Sequence, residues 1–312
     1  MPASNSGSSG QIVVAGAGYA GLHVALRLTA KLRNHPKMGL ALADRHDYHQ
    51  VLTELPRVAG GTRAAGAVRI PLQDMLAERV RFAQTEINGF DLPGRRLLTA
   101  AGPIGWGRLV LALGSRPNDF AIPGLAQHAL SLYSAGDAER VWAAVSKALD
   151  EAAAATGPER QRRLATVVVG GGGATGVELA GELAEILPEV ASGHGLAPGR
   201  PAVQLVEAGP TILAGSSPQL IDKATRILSD LGVQVRTNAA IAAAAEEGLA
   251  HRRPAGGGRG VRLGRWAEST RPGGRFGAAD RPQRPRQGRP VPARAGPPGH
   301  LRRRRPRLGG GP

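Results

Sequence analysis

The sequence predicts an α/β protein of two doubly wound, Rossmann-like dinucleotide-binding domains followed by a disordered basic tail. Three observations carry that expectation. A short apolar strand, a glycine-rich turn and a helix occur twice, about 155 residues apart. Each copy is followed by a further apolar strand that ends on an acidic residue. The charge is local: residues 1–250 hold 23 Lys plus Arg against 22 Asp plus Glu, whereas residues 251–312 hold 17 Arg against Glu268 and Asp280, so nearly all of the net +16 sits at the end.

At 312 residues the chain is long enough for two buried cores. Gln11-Ile-Val-Val-Ala15 reads as a strand, Gly16-Ala-Gly18-Tyr-Ala-Gly21 as a tight turn, and Leu22, Val24, Ala25 and Leu28 as the apolar stripe of a helix. Leu40–Ala43 is a second strand ending on Asp44, and Arg108–Leu113 a later one closing at Gly114. The Ala-rich, charge-flanked stretch from about Ser134 to Ala155 reads as a solvated connector helix, with Gly136-Asp137 as its N-cap. The pattern then returns. Ala165–Val169 is a strand, Gly170-Gly-Gly-Gly173-Ala-Thr-Gly176 a turn, and Val177, Leu179, Ala180, Leu183 and Ile186 mark a helix. The strand Ala202–Val206 ends on Glu207, and a helix from about Pro218 to Leu231 leads to Val233-Gln-Val235. From about Gly248 periodicity gives way to Arg, Gly and Pro, a composition that buries too little apolar surface to offset the entropy of ordering.

A glycine-rich turn between strand and helix has a physical task. The first glycine permits the tight turn, the second lets the backbone approach a pyrophosphate, and the third lets the helix pack on the strand, while the helix N-terminus presents N–H groups to the anion. These are Gly16, Gly18 and Gly21 in the first copy, and Gly171, Gly173 and Gly176 in the second. Asp44, 28 residues beyond Gly16, and Glu207, 36 beyond Gly171, are placed to accept hydrogen bonds from a ribose diol. The longer second spacing is assigned to the loop Ala191–Arg200. An acid at the ribose disfavours a 2'-phosphate, so Glu207 points to NADH over NADPH.

Composition excludes several classes. Cysteine is absent, which removes thiolate metal sites and redox-active cysteine pairs; no metal is expected. No apolar run is long enough to span a membrane and the start has no signal-peptide character, so the expected location is the cytoplasm, with the inner face of the cell membrane left open. The arginines of the tail lack aromatic interleaving beyond Trp266 and Phe276, so no specific nucleic-acid partner is expected.

Taken in order, several stretches resemble type II NADH dehydrogenases, within the FAD-dependent pyridine nucleotide-disulfide oxidoreductase superfamily. They are Asp44-Arg-His-Asp-Tyr-His-Gln50 with Leu55-Pro56, Leu109–Asn118 with Ile122-Pro-Gly124, Thr166–Glu182, and Val206–Ile212, within about Ile12 to Asn238. The resemblance implies an FAD-binding domain over 1–124, with FAD on Gly16, Gly18, Gly21 and Asp44 and with Arg45 and Gly114 among its contacts. It implies an NADH-binding domain over 125–248, with NADH on Gly171, Gly173, Gly176 and Glu207. Glu178 matches the acid beside nicotinamide and flavin and is the candidate catalytic residue; its other reading is a first-turn helix acid favoured by the macrodipole. His49 and Arg45 fall on the loop that skirts the flavin in relatives, and both also read as surface polar residues. The implied activity moves hydride from NADH to FAD and electrons on to a quinone-like acceptor. A ferredoxin- or rubredoxin-type reductase and an inactive nucleotide-binding protein are the alternatives; peripheral membrane association and a homodimer stay open.

The resemblance stops near Gly248. Relatives return to the first domain through a strand ending in Gly-Asp, and no such segment follows here. Read one base later, one choice of codons for His300–Arg307 yields Ile-Phe-Ala-Ala-Gly-Asp-Arg, which makes a frameshift the expected origin of 249–312. On that reading the chain holds flavin weakly.

Overall fold

The computed structural model describes residues 10–197, 201–245, 248–252, 262–263 and 265–268. The first lobe runs β1 (Gln11–Ala15), α1 (Tyr19–Lys31), β2 (Gly39–Asp44), β3 (Tyr48–Gln50), α2 (Leu55–Ala59), β4 (Arg69–Pro71), β5 (Val80–Gln84), β6 (Ile87–Asp91), β7 (Arg96–Thr99), β8 (Ile104–Gly105) and β9 (Arg108–Leu111). Its main sheet is parallel in the order β5-β2-β1-β9. Parallel strands are covered on both faces and so read as continuous apolar runs, as Val13, Val14 and Ala15 do with no exposure at all. One face packs under α1 through Ile12, Val14, Leu22, Ala25 and Leu42. The other packs Val13, Ala15, Ala41 and Ala43 against Leu97 of the antiparallel β6-β7-β8.

The second lobe runs α3 (Leu125–His128), β10 (Leu130–Ser131), α4 (Ala135–Ala154), α5 (Pro158–Leu164), β11 (Thr166–Gly170), α6 (Ala174–Gly193), β12 (Ala202–Val206), α7 (Pro218–Asp230), β13 (Gln234–Arg236), β14 (Ala240–Ala245), β15 (Gly248–Arg252), β16 (Arg262–Leu263) and β17 (Arg265–Glu268). Its parallel sheet has the order β10-β17-β11-β12-β13, and β14, β15 and β16 form a separate antiparallel sheet. The doubly wound α/β expectation therefore holds in both lobes.

Four expectations need correction. Regular structure does not stop at Gly248: β17 lies beside β11, pairing Val167–Gly170 with Arg265–Glu268. A buried central strand such as β11 must pair its backbone polar groups on both edges, and that demand acts on backbone whatever the apolar content of the partner segment. Residues 269–312 of the expected disordered tail lie outside the described residues.

The stretch assigned to a solvated connector is a core helix. Val141, Val145, Leu149 and Ala152 of α4 are buried at helical spacing, and they join one core with β11 and α6; the abundance of alanine hid a single apolar stripe. Its N-cap is Ser134, not the Gly136-Asp137 pair: the Ser134 hydroxyl accepts from the Asp137 N–H, while the Asp137 carboxylate accepts from the Ser134 N–H at 2.7 Å, a reciprocal capping box. Finally, the longer second glycine-to-acid spacing comes from the helix itself. α6 has 20 residues and α1 has 13, which accounts for seven of the eight extra residues; the links from each helix to the next strand are of nearly equal length.

The lobes share side chains. Leu55, Val58, Ala59, Ala65 and Val68, all before residue 124, lie in the same core as α4, β11 and α6. The Thr62 hydroxyl donates to the Glu182 carboxylate on α6. Gln50 also bridges the lobes, donating to the Tyr133 carbonyl at 3.0 Å and accepting from the Ala135 N–H at 2.9 Å. Among the described residues no helix is long and apolar enough to cross a membrane.

Candidate functional site

Each glycine turn sits at the C-terminal end of an inner strand of its parallel sheet, β1 or β11, where open α/β sheets bind ligands. Gly16 has φ +101° and Gly171 φ +96°, the left-handed region that side chains rarely adopt. A Cβ on Gly16 would also collide with the Ala112 carbonyl of the chain leaving β9, and one on Gly21 would collide with the Gly16 carbonyl. Gly18 and Gly173 are different. Both have ordinary extended φ, −66° and −74°, and a Cβ on either would meet no atom within 4 Å. Gly16, Gly171 and Gly21 are thus required by the fold, whereas Gly18 and Gly173 border open space that the fold does not use.

The two acids repeat each other atom for atom. Asp44 accepts from the Ala17 N–H at 2.7 Å through one oxygen and from the His46 N–H at 2.8 Å through the other. Glu207 accepts from the Gly172 N–H at 2.7 Å and from the Gly209 N–H at 2.6 Å. In both, one oxygen grips the residue between the first two glycines and the other grips the residue two positions beyond the acid. Sequence reasoning assigned these acids to a ribose only, and their backbone role was not legible from spacing. An ionised carboxylate has about four acceptor sites, so a carboxylate that organises its turn can also accept from a diol. Glu207 is the more buried, at 5% exposure, and Asp44 is half-buried.

Glu178 stands in the early part of α6, four residues before Glu182 and hence on the same helix face. That face meets the first lobe at Thr62. Glu178 is exposed overall, yet the protein around its carboxyl strips enough water to raise its pKa from the ordinary carboxylate value. Arg45 is exposed and faces Glu86, 4.0 Å away. His49 is buried, with Nδ1 3.3 Å from the Ala17 carbonyl and its ring edge-on to Tyr19 at 4.7 Å. Gly114 has φ +72° in the chain following β9, where the Tyr133 hydroxyl donates to the neighbouring Ser115 carbonyl.

The profile of the pyridine nucleotide-disulphide oxidoreductase family matches residues 10–260, more than half of the chain. The chain belongs to this family. Among its curated relatives is the type II NADH:quinone oxidoreductase of Staphylococcus aureus, 30% identical over 242 residues that cover 77% of this chain and 59% of the relative. An NDH2 of Plasmodium falciparum, solved in complex with NADH, superposes with a TM-score of 0.72 at 17% identity, over 84% of this chain and 55% of that one. The sulfide:quinone oxidoreductase of Aquifex aeolicus gives 0.66 at 18% identity, over 83% and 58%. The structural likenesses show the fold, and the chain spans somewhat more than half the length of these relatives.

Proposed function

We propose that the chain is the nucleotide-binding part of a flavin-dependent NADH dehydrogenase, with FAD on the first turn, NADH on the second and a quinone as acceptor. The observation that carries this reading is the duplicated geometry: two turns, each with an unobstructed second glycine and an acid held by the same two backbone N–H groups. A single turn would serve one nucleotide; two serve a donor and a resident cofactor. The residues fit both groups, because the space beside Gly18 and Gly173 is what a Cβ would take up and a pyrophosphate needs.

When bound, the flavin supplies the two-electron chemistry. The protein's own part is position and electrostatics. The N-termini of α1 and α6 present N–H groups to the two pyrophosphates. Asp44 and Glu207 hold each turn in shape and accept from the adenosine riboses. Arg45, on the segment after Asp44, and Gly114, where the chain leaves β9, border the first nucleotide. Glu178, on the α6 face that meets the first lobe, orients the donor, and partial burial raises its pKa from the ordinary carboxylate value.

The test is anaerobic titration of the FAD-loaded chain with NADH. Bleaching of the flavin band by NADH, at least about tenfold more avid than by NADPH because Glu207 repels a 2'-phosphate, and recovery of the band on adding a water-soluble quinone are the expected results. Recovery with a ferredoxin but not with a quinone would reassign the acceptor, and FAD or NADH failing to bind would remove the reading.

A further inference from the structure

The two glycine turns are alike in how an N–H is held and unlike in how a carbonyl is held. In the second turn the Gly172 carbonyl accepts from the backbone N–H of Leu213 at 2.7 Å. In the first turn the corresponding carbonyl, that of Ala17, faces the imidazole Nδ1 of His49 at 3.3 Å. A carbonyl oxygen only accepts, so Nδ1 carries the proton and donates. Both holders come from the segment that follows the acid: His49 is five residues beyond Asp44, and Leu213 six beyond Glu207. His49 is buried at 6% exposure and is braced by the edge contact with Tyr19.

From this correspondence we propose that His49 is a positioning residue of the first nucleotide site, which aims the Gly18 N–H at the cofactor's pyrophosphate by gripping the carbonyl of Ala17. The peptide unit is planar and trans, so a carbonyl and the N–H of the next residue lie in one rigid plane and point in opposite directions. Holding the Ala17 carbonyl against His49 therefore turns the Gly18 N–H away from His49. Asp44 fixes the preceding plane through the Ala17 N–H, which sends the Gly16 carbonyl toward Gly21. With both planes held, Ala17 has no free torsion and the turn is set before any ligand arrives. Preorganised donors bind an anion without the cost of ordering them first. At the second turn the same work is done by backbone alone, so no side chain replaces His49 there.

This inference rests on FAD occupying the first turn, and the experiment separates the two. His49→Leu and His49→Asn are prepared in the full chain; the Asn side-chain amide puts an N–H where Nδ1 was. Amide hydrogen exchange is followed at residues 16–22 and 171–177 without ligand, and FAD and NADH affinities are measured by flavin fluorescence and by titration. Expected for His49→Leu are faster exchange at the first turn only and FAD binding weakened about threefold to tenfold, with NADH affinity unchanged and His49→Asn recovering most of both losses. The inference is overturned if His49→Leu leaves the first turn's exchange unaltered, if both turns loosen together, or if His49→Asn behaves like His49→Leu. Should the unmodified chain bind no FAD, the cofactor assignment fails while the exchange data still decide the role of His49.

Discussion

Ala17 and Gly172 occupy the same place in two copies of one turn, each with its N–H on a carboxylate, yet one carbonyl is held by a side chain and the other by backbone. The surroundings differ in the same sense. Glu207 is buried and Asp44 half-buried, and Gly172 packs closely on Glu207 and Ile212, whereas the first turn has Tyr19 on its outer side, 49% exposed. The second turn is thus closed by its own loop, and the first is held by a residue that can be replaced without rebuilding the backbone. The geometry that faces the ligand is common to both, and the means of holding it are not.

The largest effect should come from asking the first glycine of each turn to carry a side chain. Gly16→Ala adds backbone strain and a collision with the Ala112 carbonyl, and should destabilise by about 3 kcal/mol or more. Gly171→Ala meets at least the strain, about 1–3 kcal/mol. Denaturant midpoints measure both, and a harmless Gly16→Ala would mean that the turn does not have this geometry.

Removing the carboxylates sharpens the contrast in burial. Glu207→Ala leaves two backbone N–H groups without their acceptor in a buried setting and should cost roughly 2–6 kcal/mol, given about 1–3 kcal/mol per buried unsatisfied group. Asp44→Ala, where water can take over, should cost about half of that or less. Equal losses by chemical denaturation would show that exposure does not separate the two sites.

The smallest effect concerns Glu178. An acid whose pKa is raised in the folded state binds protons more tightly there than when unfolded. Its contribution therefore falls as pH rises from its unfolded value through the raised folded one. Because Glu178 is exposed, the slope is shallow. The melting temperature of the unmodified chain should decline slightly more across that window than that of Glu178→Gln; identical profiles would show that its carboxyl is not desolvated.

Much of this arrangement was legible from residues. The strands at Gln11–Ala15 and Ala165–Val169, the turns, and the acids at the ends of the next strands follow from apolar runs and glycine spacing, because each is a local demand of the backbone. What spacing could not show was how residues far apart meet. The hold of Asp44 on Ala17 and the contact of His49 with the same residue need the strand order first; His49 by itself read equally well as a surface polar residue. α4 was misread because alanine counts weakly in any apolar pattern, although Val141, Val145 and Leu149 trace its buried face. β17 was missed because its partner, β11, and not its own composition, decides whether it pairs.

The claim that two separate turns serve two separate nucleotides is tested most directly by adding a methyl group where the fold leaves room and a ligand would not. Gly18→Ala and Gly173→Ala have ordinary φ and no neighbour within 4 Å, so both should fold with unchanged stability. Each is titrated with FAD and with NADH. The predicted result is a crossed pattern: Gly18→Ala weakens FAD and spares NADH, and Gly173→Ala weakens NADH and spares FAD. Loss of both nucleotides through one variant, or of neither through both, would contradict it.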